Sequence, residues 1–205
     1  MSPFLRFAFS LGLAALTAGP ALAQDGAPQS LADWSATTAR SAFVLCRGGE
    51  PDASEVTEHG QIVGWPSFTP YLEHPDGFKR TAGGESRKTD SLGDATAYVE
   101  LTVQSGQVTA AQPADITYFR CNVASDQTVN GPLEAFFTAY YGAPTSKTDA
   151  STVWVVGAPD GAAAASDDAL LKAAEAGADN VTRIELTRER GLDRAKMTVF
   201  RRGAD

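Results

Sequence analysis

The chain has 205 residues and a formal net charge of −8, a balance that repels nucleic acid and anionic membrane surfaces and argues against both as partners. The charge is unevenly placed: residues 24–182 hold nine basic and 21 acidic side chains, a net of −12, whereas residues 183–205 hold seven basic and four acidic, a net of +3. With two histidines and two cysteines, the chain lacks the spaced clusters that bind zinc.

Arg6 is followed by an apolar run over 7–18, which Gly19 and Pro20 break before Ala21, Leu22 and Ala23. A charged start, an apolar middle and small residues ahead of a cut are the signature of a secretory signal. The 12-residue run is short of the roughly 20 residues that span a bilayer. Residues 1–23 are therefore expected to be a signal peptide, 24–30 a flexible lead-in and 31–205 one domain, periplasmic or secreted. No membrane span is expected after signal cleavage.

Ser30 precedes Leu31, Trp34, Thr38, Ala42 and Leu45, spaced as on an amphipathic helix; extended chain is expected to take over near Ser41. Asp52, followed by Glu55 three positions later, matches a capping box and predicts a helix to about Val63, stopped by Gly64 and Pro66. Residues 66–94, broken by Pro70, Pro75, Gly77, Gly83 and Gly84, read as a locally basic surface loop or irregular edge strand.

Ala95 to Gln104 alternates strictly, with Ala97, Val99, Leu101 and Val103 on one face, and predicts a strand ending in a turn at Ser105 and Gly106. Ile116 to Val123 predicts a second strand that puts Phe119, Cys121 and Val123 on a common core face. Pro132 opens a helix with a complete apolar stripe, Leu133, Phe136, Phe137, Tyr140 and Tyr141. Val153 to Val156 is apolar on both faces and reads as a central strand. Ser166 is placed to cap a short helix through Ala176. Val181 to Glu189 and Ala195 to Arg201 predict a hairpin.

The expected fold is α+β: a single domain with a mainly antiparallel sheet of five or six strands packed against two or three helices. Residues 43–104 and 116–201 echo each other weakly, each reading as a strand–helix–strands unit, and an internal duplication is an open expectation. Cys46 and Cys121 are 75 positions apart. An even cysteine count in an exported chain predicts a structural disulfide between them.

No zinc, calcium, phosphate-loop, dinucleotide or activated-serine motif occurs, so no catalytic residue, metal or cofactor is assigned. Two local constellations could carry chemistry. His74 lies between Glu73 and Asp76, and a carboxylate beside an imidazole can make a general base; Pro75-Asp76-Gly77 is equally a turn sequence. His59 and Glu55 share a helix face, as two metal ligands or as a surface ion pair. The C-terminal hairpin interleaves Arg183, Lys196 and Arg202 with Glu185 and Glu189, which suits cross-strand ion pairs better than a polyanion site.

These features lead to a non-catalytic exported module that binds a protein or a small-molecule ligand. A hydrolase built on His74 and Asp76 is one alternative. The other is an inhibitor or immunity-type protein inserting the 66–94 loop into another enzyme.

Overall fold

Alternation from Ala95 onward builds the centre of the molecule. The computed structural model describes residues 30–47, 52–70, 77–109, 111, 115–158 and 166–203. In these the elements run α1 (Leu31–Cys46), α2 (Ala53–Ile62), β1 (Thr69–Pro70), β2 (Phe78–Leu92), β3 (Ala95–Val108), β4 (Ile116–Ser125), α3 (Asn130–Tyr141), β5 (Ser146–Lys147), β6 (Ser151–Val156), α4 (Asp167–Glu175), β7 (Val181–Glu189) and β8 (Leu192–Arg202). The strands form one antiparallel sheet in the order β1-β2-β3-β4-β8-β7-β6-β5. The α+β class, the antiparallel sheet and the single domain are as expected. The four helices exceed the two or three expected, and the eight strands exceed five or six.

The strand order reads as two meanders, β1 to β4 and β5 to β8, whose last strands meet at the β4–β8 pair. The outermost strands are two residues long, and β1 contains Pro70. Short edges with a proline discourage pairing with a second sheet.

Successive strand residues face opposite ways, and the core is split accordingly. On one face Val99, Leu101, Val103, Cys121, Val123, Ile184 and Met197 meet α1, α2 and α3. On the other, Val108, Ile116, Tyr118, Val181 and Phe200 meet α4 through Leu170 and Ala174. Among the described residues three helices thus lie on one face and α4 covers part of the other.

Each helix starts for a local reason. Ser30 Oγ accepts from the Asp33 N–H at the head of α1, Asp52 accepts from the Ser54 N–H at α2, and Ser166 accepts from the Ala169 N–H at α4. α3 has no side-chain cap of its own. Asp193 Oδ2, 1% exposed in β8, accepts from the N–H groups of Val129 and Asn130 at 2.7 and 2.8 Å. The β7–β8 hairpin therefore caps α3 from a distance. That hairpin turns on Arg190 and Gly191, both at positive φ, as a two-residue turn between twisted strands requires.

α1 does not give way to extended chain at Ser41: it stays helical to Cys46. Ala36, Ala39, Ala42, Phe43 and Cys46 form its buried stripe, and the small residues let the helix lie close to the sheet. Cys46 and Cys121 are joined there, with Cα atoms 6.2 Å apart. Phe43, Phe137 and Trp154 pack in series, ring centroids 5.0 and 5.5 Å apart. Of the predicted α3 stripe, Leu133 and Phe137 are buried, while Tyr140 is exposed with the Arg47 guanidinium over its ring.

The largest correction concerns 66–94. Much of this stretch is β2, a 15-residue strand paired along its whole length with β3. The glycines that suggested a loop are close-approach positions. A Cβ on Gly84 would stand 2.9 Å from the Phe68 side chain. Nor do Ser105 and Gly106 turn: β3 runs through them to Val108. Gly106 sits where β2 bulges between Arg80 and Ala82, and a Cβ there would stand 2.1 Å from the Lys79 carbonyl oxygen. β6 is next to the edge rather than central, although Val153 and Trp154 are buried on opposite faces of it. Among the described residues no helix is long and apolar enough to cross a membrane.

Candidate functional site

The helix-bearing face of the sheet is not covered to its end. Beyond the disulfide, where α1 stops and α2 starts, the ends of β3, β4 and β8 border a cavity of about 390 Å³. Asp52 and Glu55 line it from α2, Ser105 and Gln107 from β3, Thr117 from β4 and Arg201 from β8. The wall mixes polar side chains with apolar surface, Phe119 and Tyr118 included, and the volume lies within the range of small-molecule sites, roughly 300–1,000 Å³.

One corner of this cleft is tightly organised. Asp52 Oδ1 takes the Ser54 N–H at 2.7 Å and Asp52 Oδ2 takes the Ser105 hydroxyl at 2.9 Å. Ser105 Oγ in turn accepts from the Ala53 N–H at 3.2 Å. Thr81, on the bulge of β2, donates its hydroxyl to the Ser105 carbonyl. The start of α2 is thereby tied to the middle of β3. Partial burial works against ionisation of Asp52, but hydrogen bonds from the Ser54 N–H and the Ser105 hydroxyl, with help from the Ser54 hydroxyl and the Glu55 N–H, outweigh it. They hold the carboxyl below its ordinary value.

This geometry does not activate Ser105 as a nucleophile. An activated serine needs a base that takes its proton near neutral pH. Asp52 is held in the anionic state by donated hydrogen bonds, which makes it a weak base. Ser105 is only 5% exposed, with both its donor and its acceptor function engaged.

Of the sequence-predicted site residues that are described, Glu55 alone lines the cleft. His59 lies one turn further along α2, exposed to solvent. Among the described residues no group of three His, Cys, Asp or Glu is placed to hold a metal ion. His74 and Asp76 lie outside the described residues. Cys46 and Cys121 are bonded to each other behind the cleft.

The basic C-terminal hairpin is only partly exposed: Arg188 and Arg194 face solvent, but its middle does not. Arg183 is 7% exposed and pairs with Glu185 at 2.8 Å. Lys196, opposite Glu185 in register, donates instead to Asp167 of α4 at 2.6 Å. Arg120 reaches the same carboxylate at 3.0 Å. The basic strands are thus partly satisfied by the helix lying on them, which strand-to-strand reasoning does not anticipate.

No protein-family model, curated protein or solved structure matches the chain.

Proposed function

We propose that this protein is an exported, non-catalytic binding module that takes a small polar molecule in the cleft at the start of α2. The observation that carries the reading is the cavity of about 390 Å³ whose wall is set by the Asp52–Ser105 pair. A wall fixed before the ligand arrives loses little freedom on binding.

The two carboxylates favour a ligand that brings amino or hydroxyl groups, since such groups donate to carboxylate oxygens. Arg201 adds a cationic side to the same cavity. The apolar and small-residue pattern of 1–23 and the Cys46–Cys121 bond support export to an oxidising compartment, periplasmic or extracellular. The strand pairing of 78–92 weighs against the inhibitor reading, which needs 66–94 as an inserting loop.

Native mass spectrometry of the protein recovered from its own host's envelope and medium tests the reading. A retained small molecule that disappears on Thr117→Trp, a substitution that fills the cleft from an exposed position, supports it. Retained mass that survives Thr117→Trp, or a retained protein in place of a small molecule, contradicts it.

A further inference from the structure

On the opposite face of the sheet, Tyr118 of β4 is 2% exposed. Among the described residues its hydroxyl has no hydrogen-bond partner, and the same holds for Arg80 Nη1, Arg120 Nε and, on the acceptor side, Asp167 Oδ1, all shielded from solvent. Buried polar groups are almost always partnered, so each such atom calls for an explanation.

Strand register brings the three donor side chains together. Arg80 is paired with Gly106 and Gly106 with Tyr118, so a residue without a side chain separates them. In the adjacent row on the same face stand Gly83, Gln104 and Arg120. Arg80 leans toward that row: its Cδ lies 3.2 Å from where a Cβ on Gly83 would stand. The Arg120 guanidinium lies 5.8 Å from the Tyr118 ring centroid and 5.1 Å from that of Phe78. Phe78 meets Tyr118 edge-on at 4.8 Å and supplies an apolar wall.

The missing partner must be rich in acceptors. Arginine offers donors only. Burial pushes the Tyr118 phenol above its ordinary value, with Arg120 and Arg80 pulling the other way, so it keeps its proton at neutral pH and lies within electrostatic reach of both. A water can accept from two of these donors but brings no charge to offset the guanidiniums. Arg120 and Lys196 pair with the carboxylate of Asp167, Arg183 pairs with Glu185 and lies near Asp167, and Arg80 has no ion pair among the described residues.

We propose that this nook binds a tetrahedral oxyanion, a phosphate or sulfate group, held by the Tyr118 hydroxyl, Arg80 Nη1 and Arg120 Nε. By strand alternation its side chains stand on the other face of the sheet from the α2 cleft, which Tyr118 also borders, and the proposal does not depend on the reading of that cleft.

Thermal melting and calorimetric titration of the exported protein test the proposal, using inorganic phosphate, sulfate and glycerol phosphate at ionic strength matched with sodium chloride. Phosphate or sulfate is expected to raise Tm saturably, as a ligand of the native state does. Tyr118→Phe, which keeps the ring and loses the hydroxyl, should weaken that affinity about tenfold, the loss of one hydrogen bond to a charged group, and Arg80→Gln should weaken it at least as much. Binding of glycerol phosphate as well assigns the site to phosphate esters; binding of the free ions alone assigns it to those. A flat response to all three probes overturns the proposal. So does an unchanged affinity in folded Tyr118→Phe, which decides the matter even if Arg80→Gln fails to fold.

Discussion

The hydroxyl of Ser105 donates to the carboxylate of Asp52 at 2.9 Å across 53 residues of chain. That bond joins the first turn of α2 to β3 and forms one corner of the cleft. Ser105→Ala removes the donor to Asp52 and the acceptor for the Ala53 N–H together. It should cost about 1–3 kcal/mol, the range for stranding buried hydrogen-bonding groups. Urea denaturation measures the cost, and hydrogen exchange should place the lost protection at the start of α2.

The same carboxyl makes stability depend on pH. Its native value is depressed below the unfolded value of about 3.9. The unfolded state therefore binds the proton more readily, and stability rises with pH through this window. The contribution is fully present above about pH 4 and is lost as pH falls through the native value. Asp52→Asn should be destabilising at pH 7, with the gap to the wild type narrowing at pH 3 in urea midpoints.

The disulfide closes a loop of 75 residues and ties α1 to the middle of the sheet. The chain-entropy relation gives such a loop about 4.5 kcal/mol. Cys46→Ser with Cys121→Ser should lower the unfolding free energy by a few kcal/mol. Equal stability of the oxidised and reduced proteins would show that the bridge has no structural role.

Asp193 caps α3 from the neighbouring hairpin and takes Arg188 at 3.2 Å on its other oxygen. Asp193→Ala leaves the Val129 and Asn130 N–H groups without this acceptor, and a loss of about 1–3 kcal/mol is expected. Thermal melting gives the magnitude. Faster hydrogen exchange confined to α3 and the β7–β8 turn would distinguish a lost cap from general loosening.

Much of the fold is legible wherever a local rule decides the outcome. Asp52 and Ser166 are recognisable caps, the alternation from Ala97 to Val103 marks a half-buried strand, and the apolar face of Ile116 to Val123 places Cys121 inside. Reading fails where a long-range contact overrides the local signal. Gly83, Gly84 and Gly106 look like loop residues, yet they are strand positions where a bulge, Phe68 or the Arg80 side chain comes too close for a Cβ. The cleft is hidden for a related reason. Asp52 is already accounted for as a cap, and Ser105 reads as part of a turn, so nothing local shows that they meet. Glu55 is found through its spacing to His59, but its place at the cleft comes from the end of β3 beside it. The cap on α3 is likewise invisible, because Asp193 sits more than 60 residues away.

The central claim, that the α2 cleft receives a small polar ligand, is tested most directly by following backbone amide shifts in the purified protein. The titrants are amino acids, polyamines and sugars. The account predicts that at least one class moves the amides of Glu55, Gln107 and Thr117 saturably, and that Thr117→Trp abolishes the response. No movement with any class, or saturable shifts that cluster elsewhere and ignore Thr117→Trp, would contradict it.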